Sequence, residues 1–437
     1  MEKPKAKSTY RNYITALVLV CALIGSVSFY VLYLQTYKQT SVVGISVTPS
    51  SGFLDSKVQV SGTNFTVNGR VSIYWDNILM GNTTVNNVGN FLYSLTTPGN
   101  ATLGTHEIKV KDITAGKVIS KSFSVVSEKV TFQLDWYLYG KHAMFFVAQE
   151  KGFYEDVGLD VSFVPGSASV TFEPTQVYTG KAQFGFLEAI TLAGADAKLG
   201  MNLVMVAMIH DKCPLVISSP ASLNITKPKD LEGHNLTFPS GSTEEYLWPV
   251  FAQKNDINVS KVTIVKLDYS VRQTMIISGQ VDAVLTYITE IPSYEAYTPM
   301  NNIMFSDYGM DFYTNGIAVT KALLDSRPNF VRNFVKATIK GVEYSKTHPD
   351  EAIDALLAVH PELGTDNATK TILKGQLLEA VNKMTQDSAL QKNGHIGYMY
   401  DDKWRDTLVI GIQTGQLDAY PDVSTLYTNE IINSIKW

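Results

Sequence analysis

The chain is poor in cysteine, in net positive charge and in the short signatures of catalysis. Its two cysteines, Cys21 and Cys213, stand far apart, and Cys21 falls inside an apolar run. That excludes a disulfide framework, and no spacing fits a zinc site. The formal net charge is −5. A protein that tracks nucleic-acid phosphates carries an excess of Lys and Arg, so nucleic acid is excluded as a partner. No HExxH, P-loop or nucleophile–base motif is present, so binding without a cofactor is expected rather than catalysis. Charged residues make up 18% and hydrophobic residues 45%, which excludes disorder and points to folded globular structure. At 437 residues the chain is too long for one ordinary domain.

Long apolar runs are equally scarce: one stands out, Ile14 to Leu34. It reaches the ~20 residues that cross a bilayer and exceeds the ~7–15 of a signal-peptide core. Length therefore favours an uncleaved anchor over a cleaved signal, and the sequence before Cys21 is not a lipobox. Residues 1–13 carry Lys3, Lys5, Lys7 and Arg11 against Glu2. The basic tail should stay cytoplasmic, leaving the bulk of the chain extracellular on a single-pass membrane anchor. Seven Asn-x-Ser/Thr sequons, at Asn64, Asn82, Asn100, Asn224, Asn235, Asn258 and Asn367, all follow the run, as glycosylation of an outward-facing chain requires.

Residues 44–127 are rich in Val, Thr, Ser, Gly and Asn. Short alternating runs (KVQVSG, VSIYWD, NFLYSLT, HEIKVKD, KSFSVV) are separated by turn signals such as Ser51-Gly52 and Asn68-Gly69. This predicts an all-β sandwich. ISVTPSSGFLDSKVQVSGTNF, with GNFLYSLTTPGNATLGTHEIKVKD, resembles the IPT/TIG-type immunoglobulin-like domains of cell-surface proteins. The resemblance implies a spacer or adhesion module. Asp76 and Asp112 read as turn carboxylates rather than calcium ligands.

From Glu128 strands and helices alternate. VTFQLDWYLYGKHAMFFVAQEKGFYEDVGLDVSF, Val130 to Phe163, predicts strand, loop, helix over His142 to Lys151, a stop at Gly152 and a second strand. Such a unit begins a parallel sheet, whose ligands sit beyond the strands' carboxyl ends. Further strands are expected near 183–186, 202–208, 215–218, 234–238, 262–266, 283–286 and 313–319, and helices near 172–179, 243–253, 271–277, 328–347, 350–359 and 369–384. This predicts a two-lobed α/β domain over 128–437. The first lobe takes 128–214 and 320–437, the second takes 215–319, and a cleft opens between them.

Residues 128–437 resemble the solute-binding proteins of ABC importers, in the branch of sulfonate, nitrate and taurine binders and thiamine-pyrimidine-precursor binders. The resemblance rests on LDW with His142 six residues after Trp136, AQEKGFYEDVGLDVSF, TGKAQFGFLEA, KPKDLEGHNLTFPSGSTEEY, SGQVDAVLTYITEIPSYE and RPNFVRNFVKATIKGVEYSKTHPDEA. It implies a type II periplasmic-binding-protein-like fold, a small-molecule ligand, and ABC permease and ATPase subunits as partners. The Asp-Trp…His spacing leans toward the thiamine-precursor group. The Tyr137–Lys141 loop departs from that group's Pro- and Asn-rich loop. A receptor for an alkanesulfonate, nitrate or taurine-like anion, and a pyrimidine-synthase-like enzyme, are the alternatives.

Ten residues are candidates for ligand contact. Trp136 offers a flat indole for an aromatic ligand, and Asp135 an acceptor for a ring amine. Tyr139 and His142 complete the first loop, and Phe186 and Glu188 end a strand at the same edge. Ser242, Glu244 and Glu245 open a helix in the second lobe, and Tyr287 ends another strand, followed by Glu290. The plain alternatives are a core tryptophan and helix caps with first-turn acids. Acids here suit a donor-bearing ring and repel an anion. Lys141, Lys212 and Arg272 are the cations an anion would need. His210-Asp211-Lys212-Cys213 reads as a loop at the lobe boundary.

Overall fold

The computed structural model describes residues 20–27, 42–167, 169, 171–385 and 394–437. Of the expected anchor, residues 20–27 are helical; the rest of that run and the basic tail lie outside the described residues. Among the described residues no helix is long and apolar enough to cross a membrane.

The chain divides into two compact units. The N-terminal one is built from β1 (Gly44–Thr48), β2 (Ser51–Gly52), β3 (Lys57–Thr63), β4 (Arg70–Trp75), β5 (Ile78–Thr84), β6 (Phe91–Thr96), β7 (Gly104–Asp112) and β8 (Val118–Val125). One sheet has the order β1-β3-β6, the other β2-β8-β7-β4-β5. The β1–β3, β3–β6, β4–β5 and β4–β7 ladders are antiparallel. Alternation in the sequence becomes alternation in burial. Val58 and Val60 of β3 and Ile108 and Val110 of β7 are fully inside, while their neighbours in sequence face out. Asp112 accepts hydrogen bonds from the Thr114 and Ala115 amides, and Asp76 from the Glu107 amide, as turn carboxylates do. The expected runs became β3, β4, β6, β7 and β8; β1 and β5 were not foreseen, and Ser51-Gly52, expected as a turn, forms the two-residue β2.

The second unit contains two sheets of like plan. The first runs β10-β9-β11-β18-β12, from β9 (Glu128–Gln133), β10 (Leu159–Val164), β11 (Phe184–Glu188), β12 (Leu203–Met208) and β18 (Asn315–Thr320). The second runs β15-β14-β16-β13-β17, from β13 (Leu215–Pro220), β14 (Asn235–Phe238), β15 (Thr263–Lys266), β16 (Ala283–Tyr287) and β17 (Met300–Met304). In each, three adjacent strands are parallel: β10, β9 and β11 in one, β15, β14 and β16 in the other. The remaining pairings are antiparallel. The strand expected at 313–319 belongs to the first sheet as β18, lying between β11 and β12, so residues 315–319 pair with the first lobe and not the second.

Helices fill the crossovers: α1 (Ala143–Glu150), α2 (Phe172–Tyr178), α3 (Ala189–Leu199), α4 (Thr243–Lys254) and α5 (Tyr269–Ile277), followed by α6 (Pro328–Thr347), α7 (Pro349–Val359), α8 (Asn367–Glu379) and α9 (Asp401–Gln413). α1 is short and buried from Ala143 through Ala148. It packs against α6 and α7 in the apolar core of the first lobe. Lys151 caps it, and Gly152 follows at φ +72°, the left-handed conformation that lets the chain turn into β10. β17 and α9 were not foreseen from the sequence.

Candidate functional site

The carboxyl ends of β9, β11, β14 and β16 and the start of β18 converge on one cleft of about 490 Å³, where open parallel sheets place their ligands. Directly after β9 come Asp135 and Trp136, whose carbonyl accepts from the Gly166 amide. Tyr137, Leu138 and Tyr139 continue the wall, and Lys141 follows. The loop turns sharply at Gly140, which sits against the backbone of α8: a Cβ there would lie 1.9 Å from the Leu373 carbonyl oxygen. The Gly140 amide donates to Gln376 of the same helix, at 2.9 Å.

Behind the wall lies a buried polar cluster. Lys141 Nζ is 2.5 Å and Asn315 Nδ2 3.1 Å from Asp135 Oδ2; His142 Nε2 is 2.9 Å from Oδ1. His142 Nδ1 accepts from the Tyr139 amide, so Nε2 carries the proton and donates to Asp135. Burial alone raises a carboxyl, but Lys141 and His142 beside Asp135 hold it well below the usual carboxylate range. Burial lowers Lys141, yet Asp135 outweighs it and the ammonium is held above its ordinary value. Burial keeps His142 below its ordinary value despite the same carboxylate, consistent with a neutral ring.

Phe186, Leu187 and Glu188 bring the end of β11 to the cleft, and Glu173 and Pro174 of α2 adjoin them. Glu188 is pushed up to about 7, first by burial and then by the negative charge of Asp135. From the second lobe come the Pro239–Thr243 turn, Tyr269, Tyr287, Thr289 and Glu290. Across the cleft, the Tyr139 hydroxyl lies 3.3 Å from Thr289 Oγ1, and the Trp136 and Tyr269 rings stand 6.4 Å apart.

Of the ten candidates, Asp135, Trp136, Tyr139, Phe186, Glu188, Ser242 and Tyr287 line the cleft. Three do not. His142 is fully buried and holds Asp135 from behind. Glu244 turns inward, accepts from the Tyr269 hydroxyl at 3.2 Å and lies 3.9 Å from Arg272. Glu245 turns outward, accepting from the Gly241 amide and pairing with Lys266 at 2.9 Å. Ser242 caps α4 through the Glu245 amide while also facing the cleft. Glu173, Tyr269, Asn315, Gln376 and Met384 are among the lining residues that were not singled out. They arrive from elements far along the chain, and no local pattern marks them.

His210, beyond Phe186, is fully buried. Neither ring nitrogen has a hydrogen-bond partner among the described residues. Burial, then Lys141, depress it to about 3. The unfolded chain, with His near 6.5, therefore binds the proton that the folded state refuses. Stability from this group is complete above about pH 6.5 and is lost as pH falls toward about 3, by at most ~1.4 kcal/mol per pH unit. Denaturant unfolding between pH 6 and 4 should show a shallower loss for His210→Leu than for the parent. Parallel profiles would refute the assignment.

Known proteins similar to this chain bear on its second unit. The family described as NMT1/THI5 like matches residues 140–352. The riboflavin-binding protein of Chloroflexus aurantiacus is 23% identical over 310 residues, 70% of this chain and 86% of that protein. The formylaminopyrimidine-binding protein of Halalkalibacterium halodurans is 23% identical over 290 residues, 64% of this chain and 84% of that protein. Among solved structures, the periplasmic aliphatic sulphonate binding protein of Escherichia coli superposes with a TM-score of 0.53 at 13% identity, covering 68% of this chain and 91% of that one. The second unit has a type II periplasmic-binding-protein-like α/β fold, and residues 140–352 within it are similar to the NMT1/THI5-like family.

Proposed function

We propose that the chain is a membrane-anchored, extracytoplasmic solute receptor of an ABC importer. It captures a small aromatic, amine-bearing heterocycle, of the thiamine-pyrimidine-precursor kind, between its lobes. One observation carries the ligand class: the cleft is built of rings and acceptors, and its cation is already committed. Trp136, Tyr139, Phe186, Tyr269 and Tyr287 supply flat apolar surface, and Asp135, Glu173, Glu188 and Glu290 supply carboxyl groups. Lys141 is the one cation among the described lining residues, and Asp135 neutralises it. Arg272 is buried against Glu290 and Glu244, and Lys212 does not line the cleft. A sulfonate or nitrate would meet like charge with no free cation to offset it, whereas ring N–H groups find acceptors. The relatives named for riboflavin and formylaminopyrimidine both bind nitrogen heterocycles.

In this reading the ligand favours the closed arrangement of the lobes, which the permease recognises; the mechanism is population shift. The apolar run at 14–34 supplies the anchor, and the N-terminal β unit, taken as an immunoglobulin-like spacer, holds the receptor off the membrane. Calorimetric titration of the detergent-solubilised full chain should show binding of 4-amino-5-hydroxymethyl-2-methylpyrimidine, and none of taurine or nitrate. Tighter binding of taurine or nitrate would overturn the ligand class. Loss of mass at His142 after incubation would overturn binding without catalysis.

A further inference from the structure

The second-lobe wall contains an acceptor held in one orientation by buried groups. β16 ends at Tyr287 and passes into a single 3-10 turn, Ile288–Glu290, which sets Glu290 at the cleft. Behind it α5 presents Tyr269 and Arg272, three residues apart and so on one face. Arg272 is about 1% exposed, and its guanidinium lies 4.3 Å from the centre of the Tyr269 ring. Nη1 donates to the Leu285 carbonyl at 3.1 Å and Nη2 to Glu290 Oε2 at 3.2 Å. The Thr286 hydroxyl donates to the same Oε2 at 2.5 Å. Both bonds fall on one oxygen. Oε1 takes neither, and the side chain remains 35% exposed at the cleft. A carboxylate fixed through one oxygen offers the other as an acceptor at a set position, and an acceptor there penalises a ligand that brings a second acceptor to it.

We propose that Glu290 is the specificity-determining residue for a ligand amino group, with Arg272 and Thr286 as positioning residues. Oε1 accepts from an exocyclic amine and rejects the same ring carrying a carbonyl at that place. This rests on the heterocycle reading above and adds which donor the cleft selects.

The test uses the full chain and a matched pair of probes: 4-amino-5-hydroxymethyl-2-methylpyrimidine and its 4-oxo counterpart. The parent should bind the amino probe about tenfold to a hundredfold tighter, the cost of facing acceptor with acceptor. Glu290→Gln should abolish or reverse the preference, because Arg272 and Thr286 hold the carboxamide oxygen at the Oε2 position and its NH2 then faces the ligand. Thr286→Val, which leaves the cleft lining untouched, should reduce the preference about threefold by loosening Oε2. A merely structural role would move both affinities together and leave their ratio intact. A Glu290→Gln protein with the parent's full preference overturns the proposal. If that variant fails to fold, an undiminished preference in Thr286→Val does the same. Equal binding of the two probes by the parent overturns the proposal while leaving the heterocycle reading standing; binding of neither overturns both.

Discussion

Replacing Trp136 with alanine should raise the dissociation constant for the aminopyrimidine about sixtyfold to 140-fold while leaving the fold intact. The indole stands at the carboxyl end of β9 and lines the cleft, with the Tyr137 ring at 5.4 Å and the Tyr269 ring of the other lobe at 6.4 Å. A planar ligand between the lobes takes its area from water against this face. Losing ~80–100 Å² of that contact costs about 2–2.5 kcal/mol at ~25 cal/mol per Å². The aromatic pairing lost with it adds ~0.5 kcal/mol or more. Each 1.4 kcal/mol is about tenfold in affinity. Trp136 is half-buried without ligand, and its backbone link to Gly166 survives the substitution. The denaturation midpoint should therefore move little. Tyr137→Ala is the matched control: that ring is 57% exposed, and its loss should change affinity less than about threefold. Calorimetric titration of the two variants decides the matter. An unaltered affinity in Trp136→Ala would place the ligand elsewhere in the cleft.

What the sequence made legible was local. The strand, loop, helix and stop of residues 128–164 follow from alternation, from apolar residues at helical spacing, and from Gly152, whose positive φ a side chain resists. The strand ends marked Trp136, Phe186, Glu188 and Tyr287, because the carboxyl end of a parallel strand is where a ligand site forms. What stayed hidden depends on partners far along the chain. Glu244 and Glu245 are adjacent in the first turn of α4, and nothing near them says which faces the cleft. Tyr269 and Arg272, on α5, draw Glu244 inward, and Lys266 at the end of β15 draws Glu245 out. His142 lies behind the wall because the Gly140 turn presses against α8, more than two hundred residues on. Asn315 reaches Asp135 through a strand that returns from the second lobe. Periodicity carries no trace of any of these.

The largest stability effect is expected at Asp135, where the site and the fold share one charge. Asp135→Asn keeps the shape and leaves oxygen and nitrogen within reach of His142 and Asn315. It removes the anion from beside Lys141, whose side chain is only about 6% exposed. An ammonium left buried without its carboxylate costs about 3–5 kcal/mol. Because so little water reaches the pair, 0.5 M salt should barely reduce the difference between parent and variant. Its pH range follows from the directions of the two shifts. Asp135 is held below its ordinary value, so its contribution is present above the unfolded carboxyl pKa, near 4, and is lost as pH falls further. Lys141 is held above its ordinary value, so its contribution persists up to the unfolded value near 10.4 and is lost only at still higher pH. Between those limits the difference in unfolding free energy should be flat apart from the histidines and Glu188, whose carboxyl the Asp135 charge helps push up to about 7. The second arm is Asp135→Asn combined with Lys141→Met. Removing both charges replaces an orphaned ion with an apolar chain of similar length, so the double variant should be more stable than Asp135→Asn alone. Urea unfolding of the four proteins at pH 7 measures the coupling. If the double variant loses the sum of the two single losses, Lys141 and Asp135 are not energetically a pair. The ion pair would then be a consequence of the loop's shape and not its cause.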